Sequence, residues 1–102
     1  MIDRTYRCID PGGLHARPAS VLSGLVARHG SLAHLWVEDR EHDVASILEV
    51  MSAGIGSDGE FRLVLEGPDE VQLDEEIRRA LIEAESPTFQ DADRPAPHKS
   101  VL

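Results

Sequence analysis

The chain alternates short apolar runs with polar breaks, and the period of each run assigns its element. Residues 2–9 ("IDRTYRCI") alternate imperfectly and predict a strand, which "DPGG" at 10–13 breaks. From 16 to 29, Ala19, Leu22, Leu25 and Val26 recur at helical spacing. Pro18 suits the first turn of that helix, and Gly30 suits the position just past its end. "LAHLWV" at 32–37 reads as a second strand, with Trp36 expected in the core. "EDREH" at 38–42 reads as a polar turn with a short third strand after it. "SILE" at 46–49 has the S-x-x-E form of a capping box, opening a short helix that "SAG" at 52–54 closes. "EFRLVLE" at 60–66 is the cleanest strand, setting Phe61, Leu63 and Leu65 against Glu60, Arg62 and Glu66. "PDE" at 68–70 starts a last helix, with Asp69 as its cap and Leu73, Ile77, Ala80, Leu81 and Ala84 on its buried face. The order is β-α-β-β-α-β-α.

Residues 86–102 hold three of the six prolines and few apolar groups, so they read as a flexible tail behind a domain spanning 1–85. Docking of Phe89 and the terminal Val-Leu on the body is the lesser alternative. A chain of 102 residues suggests one domain, and 4% aromatic residues leave its core to aliphatic side chains. The net charge of −9, from 19 acids against 10 Lys plus Arg, argues against nucleic acid or an anionic membrane as partner. No apolar run approaches the roughly 20 residues of a membrane span. The N-terminus carries no signal-peptide pattern, so a cytoplasmic location is expected. The single cysteine, Cys8, allows no internal disulfide and reads as a small buried hydrophobe in a strand.

The chemistry concentrates in "GGLHARPAS", residues 12–20. His15 stands at the mouth of the first helix, after two glycines that clear the approach and permit a turn. The first N–H groups of that helix, those of Ala16 and Arg17 among them, lack internal partners and favour an anion. Arg17 adds a charge-assisted donor. A neutral imidazole there is a natural nucleophile for a phosphoryl group, since the P–N bond it forms stays reactive. Ser46 is first a helix cap. The remaining histidines, His29, His34, His42 and His98, form no recognised ligand pattern. No metal and no cofactor is therefore expected, a His34–His42 zinc pair being disfavoured.

Two segments resemble the HPr family of histidine-containing phosphocarrier proteins of the bacterial sugar phosphotransferase system. "GLHARPAS" (13–20) matches that family's phosphorylation-site motif, and "SILEVMSAGI" (46–55) resembles its regulatory-serine segment. The resemblance spans about residues 1–85 and implies an α+β fold, an open-faced β-sandwich. In it a four-stranded antiparallel sheet is covered on one face by three helices. It implies that His15, through Nδ1, accepts a phosphoryl group from enzyme I charged by phosphoenolpyruvate. His15 then donates the group to a IIA domain of a sugar permease complex, with Arg17 stabilising the phosphate. Such a protein is a monomeric carrier rather than an enzyme. Ser46 is the position that HPr kinase/phosphorylase modifies in Gram-positive relatives. The resemblance also implies a partner surface, here Ala16, Ser20, Ile47, Leu48, Glu49, Met51 and Ser52. Relatives ring this surface with basic side chains; Gly24, Ala27 and Glu49 stand at those approximate places here. The alternative readings are a regulatory paralogue whose phosphorylation controls partner proteins without sugar transport, and an interaction domain of a larger phosphotransfer assembly.

Overall fold

The structure, a computed structural model, describes residues 1–92. Its elements are β1 (Ile2–Cys8), α1 (Ala16–Ala27), β2 (Leu32–Val37), β3 (Arg40–Asp43), α2 (Ile47–Ser52), β4 (Glu60–Glu66), α3 (Glu70–Ile77) and β5 (Phe89–Asp91). A π-helical segment, Arg78–Ile82, prolongs α3. The strand with the cleanest alternation, β4, is the centre of the sheet, whose order is β3-β2-β4-β1-β5 with every pair antiparallel. Alternation sends Phe61, Leu63 and Leu65 to one face, where they are buried with Tyr6, Cys8, Ala33 and Leu35. The helices close that face with Leu22, Val50, Leu73 and Ile77. The result is an α+β fold with an open sheet and three helices, as expected.

The sheet has five strands rather than four, and the fifth lies in the segment expected to be tail. Phe89 is fully buried. Its ring meets Phe61 edge-on at 4.9 Å and stacks near Tyr6 at 6.0 Å. Cys8, Arg7 and Tyr6 of β1 pair with Phe89, Gln90 and Asp91. Thr88 bonds to the body on both sides, donating its N–H to Leu81 O at 2.8 Å and accepting from Ile9 N at 2.8 Å. Arg78 fixes the far end through a two-pronged bond to Asp91, at 2.9 and 3.0 Å, and also donates to the Tyr6 hydroxyl. The expected boundary at Glu85 therefore falls short, and the fold runs at least to Asp91. Three residues are too few to show a period, and a lone Phe among prolines and acids gives a composition-based reading little to hold. The remainder of the expected tail, 93–102, with His98 and the terminal Val-Leu, lies outside the described residues.

Two smaller expectations also change. β3 begins inside the stretch read as a polar turn, because the turn is only Glu38–Asp39, with Val37 paired to Arg40. Glu38 supplies the left-handed backbone (φ 58°) that a two-residue hairpin needs, without the Asn-Gly or Asp-Gly that would have announced it. Trp36 is not core: it follows buried Leu35 and so points to the open face of the sheet. There it is half-buried, with the Arg62 guanidinium 5.9 Å from its ring centre.

α1 and α3 are tied at their ends. His29, at the end of α1, puts Nδ1 2.7 Å from Asp69 and Nε2 3.1 Å from Glu76. Asp69 also accepts from the Ser31 hydroxyl and the Gly30 N–H. These donors, with Ser31 foremost, hold the Asp69 carboxyl down at about 2, while Glu76 and Asp69 raise His29 above its ordinary value.

Candidate functional site

The loop before α1 is shaped by its two glycines. Gly13 adopts φ +71°, and a Cβ there would stand 2.7 Å from Ile55 O. A Cβ on Gly12 would stand 2.9 Å from His15 Cδ2, so only glycine leaves the imidazole its place. The chain turns tightly from Asp10 to Gly13, with Gly13 N donating to Asp10 O at 2.9 Å. Leu14 is buried, and its N–H donates to Ile55 O at 2.9 Å, anchoring the loop to the segment that leaves α2. His15 is thereby held at the surface, its side chain 38% exposed, between two buried anchors, Leu14 and Pro18.

His15 is the N-cap of α1, with extended backbone and no side-chain cap bond, so its ring is not engaged by the helix. The first intrahelical bond runs from Ala19 N to His15 O at 3.0 Å. Pro18 has no N–H, and the N–H groups of Ala16 and Arg17 precede that bond and face the helix mouth. Ala16 and Arg17 are both exposed. The site thus collects a nucleophilic ring, two backbone donors, the positive end of a 12-residue helix and a guanidinium.

One residue at the site escaped the sequence reading. Asp10 was expected only as part of a strand-breaking turn. Its Oδ1 accepts from Gly12 N at 2.8 Å and lies 3.6 Å from His15 Nε2. The Gly12 N–H, then the charges of His15 and Arg17, hold the Asp10 carboxyl below its ordinary range. The available signal was Asp before a tight Pro-Gly-Gly turn, since an Asx turn carries its carboxylate back over the chain.

The expected partner surface is accessible. Ala16, Ser20, Ile47, Leu48, Glu49, Met51 and Ser52 are all exposed, Leu48 at 79%, and Val21 on α1 extends the apolar part. Gly24 and Ala27 are exposed on α1, and a Cβ on Gly24 would meet nothing within 4 Å, so packing does not forbid a side chain there. Ser46 caps α2, its hydroxyl accepting from Glu49 N at 3.2 Å. The capping box is half-formed: Ser46 N donates to Asp43 O, while the Glu49 carboxylate lies 3.4 Å from His42 Nδ1.

Among the described residues, the remaining histidines stay apart. His42 pairs with Leu35 and shares the helix-covered face, whereas His34 lies on the open face between Glu41 and Glu66. No group of three or more potential metal ligands occurs among the described residues. Cys8 is buried, and burial raises its thiol above the ordinary range. No helix among the described residues is long and apolar enough to cross a membrane.

Comparison with known proteins finds relatives along most of the chain. Residues 2–83 match the family model described as the PTS HPr component phosphorylation site. The phosphocarrier protein HPr of Treponema pallidum is 35% identical over 79 residues, covering 78% of this chain and 90% of that protein. The phosphocarrier protein HPr of Lysinibacillus sphaericus is 35% identical over 83 residues, covering 81% and 94%. The solved histidine-containing phosphocarrier protein of Mycoplasma superposes with a TM-score of 0.75 at 28% identity, covering 80% of this chain and 93% of that one. The family match stops before β5.

Proposed function

The chain belongs to the HPr family of phosphocarrier proteins, and from that premise we propose that it accepts a phosphoryl group on His15 from phosphorylated enzyme I and donates it to a IIA domain in sugar uptake. The observation that carries this reading is the half-exposed His15 ring at the mouth of α1, beside Arg17 and the free N–H groups of Ala16 and Arg17. A phosphoryl group on the ring would meet those donors and the helix dipole. Transfer between two histidines has a loose transition state, so positioning and charge stabilisation supply most of the catalysis. The protein is consumed and regenerated, carrying the group rather than turning over a substrate.

The exposed apolar centre formed by Val21, Ile47, Leu48 and Met51 would seat both partners in turn, since both must reach the same ring. Ser46 sits at the rim of that surface and would be the site of modification by a kinase. A cytoplasmic, monomeric protein fits these roles.

Incubation with phosphoenolpyruvate and enzyme I tests the proposal. One acid-labile phosphoryl group should appear by intact mass. His15→Ala should abolish it while leaving the circular dichroism spectrum unchanged. A label that persists in the alanine variant would overturn the assignment of His15.

A further inference from the structure

The carboxylate of Asp10 faces Nε2 of the His15 imidazole. We propose that Asp10 is a positioning residue for phosphoryl transfer: it holds the proton on Nε2 of His15, so that Nδ1 presents its lone pair to the incoming group and later departs as neutral imidazole. This inference rests on His15 being the phosphoryl acceptor.

The geometry has three parts. Asp10 Oδ1 lies 3.6 Å from Nε2, beyond hydrogen-bond length but close enough for its charge to act on the ring. The same oxygen is fixed by the Gly12 N–H at 2.8 Å, so the carboxylate is aimed by the backbone and not free to swing. Gly12 then leaves the space through which carboxylate and ring face each other, since a Cβ there would stand 3.4 Å from both Asp10 Oδ1 and His15 Nε2. A carboxylate on one ring nitrogen fixes the tautomer and orientation of the other, as it does for nucleophilic and metal-binding histidines.

Of the charged groups around the ring, the loop contributes Asp10, and α1 contributes Arg17. The neighbouring cleft is walled by Pro18, Val21, Ala80, Pro87 and Thr88, and among its lining residues only Asp10 and Arg17 are charged. The segment leaving α2 meets the loop through the backbone carbonyl of Ile55. Asp10 and Arg17 divide the work: the guanidinium favours the phosphoryl charge, and the carboxylate favours the proton on the opposite nitrogen. Asp10 is ionised through the neutral range, because the Gly12 N–H, and then the Arg17 charge, lower its carboxyl.

The step balances without a further reagent. In donation, the acceptor nitrogen forms its bond to phosphorus as the P–Nδ1 bond breaks. The bonding pair returns to Nδ1, and Nε2 keeps its hydrogen. Without that hydrogen the leaving group would be an imidazolate anion, a far poorer one.

The test needs no protein partner. Phosphoramidate, a small histidine-phosphorylating donor, labels the wild type and Asp10→Asn, and spontaneous loss of phosphate is followed by intact mass from about pH 5 to about pH 9. Asn retains an oxygen for the Gly12 N–H but removes the charge, so a purely structural role would leave the profile unchanged. The two proteins should lose phosphate at similar rates at the acid end. The Asp10→Asn profile should fall at lower pH, leaving it about seven-fold slower near neutrality, the size expected for unit charges 3.6 Å apart in a watery setting. Coincident profiles would overturn the proposal while leaving His15 as the acceptor. Failure of wild-type His15 to take the label would overturn both.

Discussion

Replacing Phe89 by alanine removes a side chain that is fully buried and touches both other rings of the aromatic cluster, Phe61 at 4.9 Å and Tyr6 at 6.0 Å. A buried Phe→Ala change costs about 3–5 kcal/mol, the sum of lost transfer free energy and the cavity left behind. Collapse should relieve part of that cavity, because β5 is a three-residue edge strand that can shift, so about 3 kcal/mol is expected. In a domain of this size each kcal/mol lowers the melting temperature by about 4–8 °C, giving a drop of roughly 12–24 °C. A chain ending at Glu85 should lose at least as much, since it also gives up the bonds of Thr88 and the Arg78–Asp91 pair. A chain ending at Ala92 keeps all these contacts and serves as the control. Urea unfolding and thermal melts, both followed by far-ultraviolet circular dichroism, measure the effect. A loss below about 1 kcal/mol in Phe89→Ala would refute the reasoning, showing that β5 is a dispensable cover and that the core closes without it.

Two further outcomes follow from the helix ends. The tie between α1 and α3 should make stability rise and then fall with pH: the Asp69 contribution is present above its unfolded value of 3.8 and is lost as pH falls toward about 2, whereas the His29 contribution is present below 6.5 and is lost as pH rises through its raised folded value. His29→Gln should flatten the alkaline side of a urea-midpoint-against-pH curve, and an unchanged curve would remove His29 from it. At α2, Ser46→Ala should cost about 0.5–2 kcal/mol by loss of the cap, whereas Glu49→Lys should leave that bond intact, because it uses the Glu49 backbone N–H and not its carboxylate. Equal losses in the two variants, read from urea midpoints, would show that the carboxylate caps after all.

What was legible in the sequence was what depends on neighbours along the chain. The turn before α1, the cap of α2 and the alternation of β4 are local, and each was readable from a few residues. His15 and Arg17 were legible for the same reason: Gly-Gly before and Pro18 after make a helix mouth from consecutive residues. What escaped depends on residues brought together by folding. β5 has no periodicity of its own and exists because the β1 edge and the pocket beside Phe61 receive it. Trp36 followed propensity to the wrong face: its residue type says buried, while its parity with Leu35 says open face, and the Arg62 side chain covers it there.

The capping box and Asp10 show how far a short motif can be trusted. S-x-x-E announces two reciprocal bonds, but only the Ser46 half forms. His42, seven residues before Glu49 and on a different element, draws the carboxylate away, and Ser46 N finds Asp43 O instead. The half that formed uses a backbone N–H whose position the helix dictates. The half that failed depends on a flexible side chain with a rival partner. Asp10 is the opposite case. It belongs to no motif with His15, yet the tight turn brings its carboxylate to 3.6 Å from the ring and the Gly12 N–H clamps it there. A side chain acts predictably when the backbone fixes both its origin and one of its bonds. Asp10 meets that condition and Glu49 does not, which is why the positioning role is assigned to the residue that no pattern singled out.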